Sequence, residues 1–338
     1  MAVSAGAEHS MILMDDGNLW GWGRYVNMPG VTTVLTLTPV HILNRVVHVD
    51  TINSGGTQST FALRSDGSLW AWGNNDFGQL GDGSTRHRSY LVHVMDNISS
   101  ISVGEMHVLA VSADGVLFAW GSNMHGQLGI KDVSATRLPI KVADDIASIS
   151  AGRRHSMAIT TSGELLVWGS NNYGQLGDGA TANSHVPVKI RDNVLSIAAG
   201  ARHSMAITYD GALWSWGDNT SGQLGYGTTI SRYSPVYIMD GVTDIFGDEN
   251  ISMAVLRDNT LVAWGDNRYG QLVNDINSYR PAIVMENVAY VSLRNGAVMA
   301  ITLENDIYSW GRYKIGYYFT GSPSNVAITL NSNTRKIF

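Results

Sequence analysis

The dipeptide Trp-Gly occurs at Trp22, Trp72, Trp120, Trp168, Trp216, Trp264 and Trp310, in steps of 50, 48, 48, 48, 48 and 46 residues. A period this regular means repeated supersecondary units, each burying an apolar face against its neighbours. Seven such units account for the chain, and none carries a long insertion. Two consecutive ones read ISAGRRHSMAITTSGELLVWGSNNYGQLGDG (149–179) and IAAGARHSMAITYDGALWSWGDNTSGQLGYG (197–227). HSMAIT and LWSWG are short, alternating and apolar, as half-buried strands are. Between them stand Asp16-Gly17, Asp66-Gly67, Asp114-Gly115 and Asp210-Gly211, with Ser162-Gly163 in the fourth unit. Asp-Gly between alternating runs signals a hairpin, because both residues tolerate positive φ. A third strand is expected at PVKI (187–190), with Pro187 at its start, and a fourth at VLSIAAG (194–200).

Four strands in each of seven units predict an all-β fold, a seven-bladed β-propeller of four-stranded blades, with residues 1–338 as a single domain. The chain ends bear on closure. The tail ITLNSNTRKIF aligns with residues 188–198, and the head VSAG aligns with residues 197–200. An open solenoid gains nothing from complementary ends and usually carries atypical caps. A ring closed by a seam blade shared between the N- and C-termini leaves no sheet edge bare, and that is the expectation.

Composition narrows the function classes. No apolar run approaches the roughly 18 residues of a membrane helix, so no membrane span is expected. A net charge of −6, with no basic run longer than Arg86–Arg88, argues against a nucleic-acid surface. Cysteine is absent, which excludes disulfides, thiolate catalysis and Cys-ligated zinc. The opening MAVSAGAEHS has neither a basic segment nor a long apolar stretch and reads as the inside of a repeat, not as a leader. The compartment stays open between secreted, cell-surface and cytoplasmic.

The stretch GQLG sounds like a phosphate cradle. It recurs at Gly78, Gly126, Gly174 and Gly222, with GQLV at Gly270. A catalytic loop is normally present once, and no Gly-Lys-Ser/Thr follows this one, so the loop is read as architecture. The combined pattern Gly-x-x-His-Ser, Asp-Gly, Trp-Gly and Gly-Gln-Leu-Gly resembles the regulator of chromosome condensation (RCC1-like) family of seven-bladed propellers across essentially the whole chain. The plain repeats look more like bacterial members.

The resemblance implies a disc whose face binds a protein, in GTPase exchange, enzyme inhibition or surface attachment. In exchange factors of the family, acidic and His residues on this loop face engage the GTPase, and His107, His155 and His203 match such positions by motif. A β-wedge protrudes from one blade of those factors. The constant steps here leave no room for it, and there is no basic tail for chromatin. Bacterial relatives that inhibit β-lactamases bind through aromatic residues on one face, whereas the corresponding loop pairs here hold no Tyr or Trp.

Within the repeat, His9, His107, His155 and His203 share one position, replaced elsewhere by Ser59, Ile251 and Ala297. A buried structural role suits them better than a metal site, whose ligands must lie about 2 Å from one ion. All ten tryptophans occupy repeat positions and read as core. The two residues before the His position vary strongly, from Ala7-Glu8 and Glu105-Met106 to Arg153-Arg154, Ala201-Arg202 and Glu249-Asn250. Variable places on a loop of a rigid scaffold are free for recognition. The expected partner-binding residues are therefore Glu8, Glu105, Met106, His107, Arg153, Arg154, His155, Arg202, His203 and Glu249. A second candidate patch is Tyr25, Tyr313, Tyr317 and Tyr318, beside Phe319, in the first and last units, which lack GQLG.

The expected function is a non-enzymatic protein-binding scaffold, acting as a monomer with no cofactor and no metal. The rival readings are a hydrolase-type enzyme using Glu105, His107, Arg154 and His155 at the channel mouth, and an exchange factor for a small GTPase.

Overall fold

Each repeat folds as a four-stranded antiparallel meander. In the fourth, the inner strand Ile146–Ala151 pairs with His155–Thr160, which pairs with Leu165–Gly169, which pairs with the outer strand Ser184–Arg191. Seven such sheets, numbered here as blades 1 to 7, span residues 2–43, 46–95, 98–143, 146–191, 194–239, 242–285 and 288–328. The computed structural model describes residues 2–5, 9–24, 35–54, 57–272, 277–294, 296–304, 306–312 and 326–328. The protein is an all-β seven-bladed propeller, and among the described residues no helix is long and apolar enough to cross a membrane.

The closure seam falls between the N-terminal and C-terminal blades, where the inner strands Ala2–Ala5 and Val288–Arg294 pack together. Among the described residues every sheet takes its strands from consecutive sequence, and the first and last blades stand as neighbours across the seam. Residues 329–338, which include the part of the tail aligned with an inner strand, lie outside the described residues.

Two local details differ from the sequence reading. In the Asp-Gly hairpins only the glycine is left-handed, as at Gly67 (φ 81°) and Gly115 (φ 78°). Gly67 N–H donates to Arg64 O, which makes a type I turn closed by a left-handed glycine rather than a two-residue primed turn. Pro187 sits within the outer strand, not at its start, where the register with Leu165–Gly169 shifts. A proline is tolerated there because an edge strand has no outer neighbour to bond. Successive blades are joined by tight turns whose second residue is left-handed, such as Asn97, Asp145 and Asn193. Asn and Asp adopt that conformation more readily than other non-glycine residues.

The GQLG loop is an inter-blade joint. Its carbonyl at Gln127 accepts the indole N–H of Trp168 in the next blade at 2.9 Å, and Gln79–Trp120, Gln175–Trp216, Gln223–Trp264 and Gln271–Trp310 repeat the contact at 2.7–2.9 Å. Within the loop, Asn123 Oδ1 accepts Leu128 N–H and Gln127 Oε1 accepts His125 N–H, each at 2.9 Å. The closing glycine must be bare. At Gly177 (φ 77°) a Cβ would lie 2.7 Å from Nε1 of Trp216. The same tryptophans are buried between sheets, so the loop seals the apolar layer that each pair of blades shares. Trp216→Phe keeps an aromatic ring but removes the donor to Gln175 O. It is expected to lower unfolding stability by about 1–3 kcal/mol, read as a lower urea midpoint. An unchanged midpoint would show that the indole bond adds nothing to the joint.

Candidate protein-binding face

The His-bearing loops and the GQLG loops emerge on the same face, because His155 pairs with Gly169 at the end of the Trp-Gly strand. The histidines themselves are not on the surface. His107, His155 and His203 are fully buried. Each ring reaches the next blade, with His107 Nε2 3.0 Å from Ser156 Oγ, His155 Nε2 2.9 Å from Ser204 Oγ and His203 Nε2 2.8 Å from Ser252 Oγ. Those serine hydroxyls donate to Gln127 O, Gln175 O and Gln223 O at 2.7–2.8 Å. A hydroxyl has one proton, so each imidazole must donate from Nε2, which leaves Nδ1 as a buried acceptor without a partner. Burial pushes His107 and His155 down to about 3 and His203 to about 4, so all three are neutral near pH 7. Their assignment to a partner-binding surface is therefore corrected: the protein itself occupies every face of these rings.

The glycine three places earlier is bound to the same device. A Cβ on Gly104 or Gly152 would lie 2.2 Å from Cε1 of its histidine, and one on Gly200 would lie 2.0 Å away. Blades 6 and 7 lack the histidine, having Ile251 and Ala297, and they also lack the glycine, having Asp248 and Arg294. These two charged side chains fall at the mouth of the central channel. Arg294 crosses from blade 7 to blade 2, donating to Thr51 O and lying 3.1 Å from Asp50 Oδ1. Asp248 accepts the N–H of Gly296 at 2.7 Å. Burial pushes its carboxyl up to about 6, against the opposing pull of Arg294 and that N–H.

Around them the mouth forms a cavity of about 240 Å³ whose wall includes Glu105, Arg153, Ala201 and Glu249. These are the first residues of the variable pairs. Arg153 and Arg154 are 40% and 44% exposed at the side chain and both bond Glu105, at 2.7 and 3.0 Å. Partial burial opposes the charge on Glu105, but the two guanidiniums outweigh it and hold the carboxyl below the usual carboxylate range. The second residues of the pairs turn toward the GQLG loops. Arg154 Nη1 lies 3.5 Å from His125 Nε2, and the Arg202 guanidinium lies 4.5 Å from the Tyr173 ring centroid. Met106 is half-buried and Glu249 is exposed.

The structure thus brings Glu105, Arg153 and Arg154 together and does not join them to His107 or His155 as an acid–base set. Among the described residues no group of three or more His, Asp or Glu is placed to hold a metal ion. Glu8, Tyr25, Tyr313, Tyr317, Tyr318 and Phe319 lie outside the described residues. Sequence reasoning missed Asp248, Arg294 and the residues preceding GQLG. The signal for the first two was their departure from a glycine that the other units keep.

Comparison with known proteins agrees with this architecture. No curated protein matches the sequence. Among solved structures, yeast RCC1 (Prp20) bound to Kap60 superposes with a TM-score of 0.71 at 22% identity, covering 86% of this chain and 77% of that one. Prp20p from Saccharomyces cerevisiae, solved in a study of its binding to Gsp1p and histones, gives 0.71 at 22% identity, covering 93% and 83%. Human WBSCR16 gives 0.72 at 19% identity, covering 87% and 83%. At these identities the likeness is one of fold. Models of the regulator of chromosome condensation (RCC1) repeat match residues 66–111, and residues 2–24 with 49–79. A family model described as the RCC1-like domain matches residues 92–334. With the repeat, the blade joints and the sequence match in agreement, the chain belongs to the RCC1-like domain family.

Proposed function

We propose that residues 1–338 form one propeller domain that acts as a non-enzymatic scaffold, binding a partner protein on the loop face around the channel mouth. One observation carries this reading. The repeated residues of each loop are buried in blade joints, and the residues that vary between blades stand at the surface of that same loop. Arg153, Arg154 and Glu249 are exposed, and Arg202 is half-exposed. A rigid disc offering a blade-specific charge pattern suits recognition of another protein surface. That Prp20p was studied for binding to Gsp1p and histones supports a protein-binding role. The wedge-free spacing of 46–50 residues disfavours nucleotide exchange.

The test is affinity capture from a lysate of the source organism, with the wild-type disc and the Arg153→Ala/Arg154→Ala/Arg202→Ala variant as baits of matched thermal stability. A protein retained by wild type and lost by the variant is the expected result. Equal retention by both, or none by either, would remove the loop face as the site.

A further inference from the structure

We propose that Arg294 and Asp50 form a clasp that closes the ring at the seam, tying blade 7 to blades 2 and 3 over the inner end of blade 1. The inference is independent of the loop-face reading. It starts from what the seam lacks. Buried apolar layers join blades 1 and 2 and each following pair up to blades 6 and 7, whereas among the described residues none joins blades 7 and 1. The indole-to-carbonyl joints run from blades 2 and 3 to blades 6 and 7, and the last unit has no GQLG loop to extend them to blade 1. The inner strand of blade 1 brings only Ala-Val-Ser-Ala to the seam.

Two departures from the repeat meet across this gap. In blades 3 and 4 one inner-strand position is a serine whose hydroxyl accepts a backbone N–H of the next blade. Ser102 Oγ accepts from Ala151 at 2.9 Å and Ser150 Oγ from Ala199 at 3.0 Å. Blade 2 has Asp50 at that position. Its Oδ2 does what the serine does, accepting Val103 N–H at 3.2 Å, and its Oδ1 accepts Thr51 N–H at 2.8 Å. Arg294 stands where blades 3, 4 and 5 have Gly104, Gly152 and Gly200. Its guanidinium lies 3.1 Å from Asp50 Oδ1, donates to Thr51 O and lies 3.5 Å from Val103 O. One side chain of the last blade thus holds the second blade and reaches the third. Asp248, the other carboxylate near Arg294, is bonded to Gly296 N–H instead. The Arg294 and Asp50 side chains are 33% and 18% exposed, and the guanidinium also meets carbonyl oxygens, so the pair holds more firmly than one at the open surface. Blade 1 is enclosed between blades already tied to one another. Releasing the clasp should therefore loosen the seam without unfolding the disc.

Hydrogen exchange of the intact protein, read by mass spectrometry, tests the clasp. Arg294→Met keeps an aliphatic stem and removes the cation. Asp50→Ser installs the residue of blades 3 and 4, so it keeps an acceptor for Val103 N–H and removes the carboxylate that faces Arg294. In both variants the amides of residues 9–24, 35–43 and 288–294 should exchange at least about tenfold faster than in the wild type. Residues 155–169 and 203–217, in blades 4 and 5, should keep their rates. The double variant should exchange no faster at the seam than the faster of the two single variants, because either change alone breaks the pair.

Unchanged exchange at the seam in either variant would overturn the proposal. Equal acceleration in every blade would also overturn it, since the two residues would then be ordinary contributors to global stability. Asp50→Ser is the smaller change and decides the question by itself should Arg294→Met not fold. Neither residue belongs to the triple-arginine variant, so the loop-face reading stands or falls separately.

Discussion

Gly200→Ala is expected to cost about 3 kcal/mol of stability, because one methyl group must enter space filled by a buried imidazole that has nowhere to move. Its Cβ would lie 2.0 Å from Cε1 and 2.4 Å from Nδ1 of His203. Nothing at Gly200 calls for a left-handed backbone, so the penalty is one of volume alone. Removing the ring should therefore rescue it. His203→Ala by itself loses the bond to Ser252 Oγ and opens a cavity, costing about 2–4 kcal/mol. In the double variant the new methyl occupies part of that cavity, and the two losses should sum to about 1–3 kcal/mol less than their separate values. Blades 6 and 7 already show the exchange, since Asp248 and Arg294 replace the glycine where Ile251 and Ala297 replace the histidine. Urea unfolding of the four proteins closes the cycle. Strict additivity would mean that the glycine is there for some reason other than the ring.

The second large effect is a loss of stability on mild acidification. The folded protein holds His107, His155 and His203 neutral, with values near 3, 3 and 4, while the unfolded chain takes up protons at about 6.5. Below pH 6.5 the unfolded state binds more protons than the folded one. Stability therefore falls as pH falls, until the folded sites themselves titrate near pH 3–4. Between pH 7 and pH 5 the loss is about 2 kcal/mol for each histidine.

Asp248 acts in the opposite sense. Its carboxyl is raised to about 6 in the fold, so its penalty is present at neutral pH and is partly relieved on acidification. The net expectation is still a clearly lower urea midpoint at pH 5 than at pH 7. His155→Ala should lower the midpoint at pH 7 and also flatten its dependence on pH by about a third, since it removes one of the three such groups among the described residues. Equal midpoints at the two pH values would show that the rings take up protons within the fold as readily as in the unfolded chain.

Much of this molecule was legible before any coordinates. The constant step between Trp-Gly pairs specified seven blades, because a repeat that cannot bury its own apolar face must stack, and its period sets the unit that stacks. The recurrence of GQLG identified it as architecture. The structure adds the reason, which is a backbone carbonyl at Gln127 or Gln175 that accepts from the next blade's indole and serine together. Recurrence in the sequence reveals that such a loop is structural, but a carbonyl leaves no residue signature of its own.

The accessible residues of the loop were decided only by tertiary structure. Arg154 and His155 are neighbours in the same variable loop, yet Arg154 is exposed and His155 is sealed. Their fates diverge because stacking of the next blade sets Ser204, 49 residues away, against the imidazole, while the guanidinium meets Glu105 and His125 and stays open to solvent. The same holds at the channel. Arg294 and Thr51 are 243 residues apart, and no local pattern predicts their contact. The period by itself determined the blades, since it is a property of the chain and of its need to bury apolar surface. The charge pattern at the mouth belongs to the closed ring, because only the closed ring brings the ends of seven different sheets around one axis.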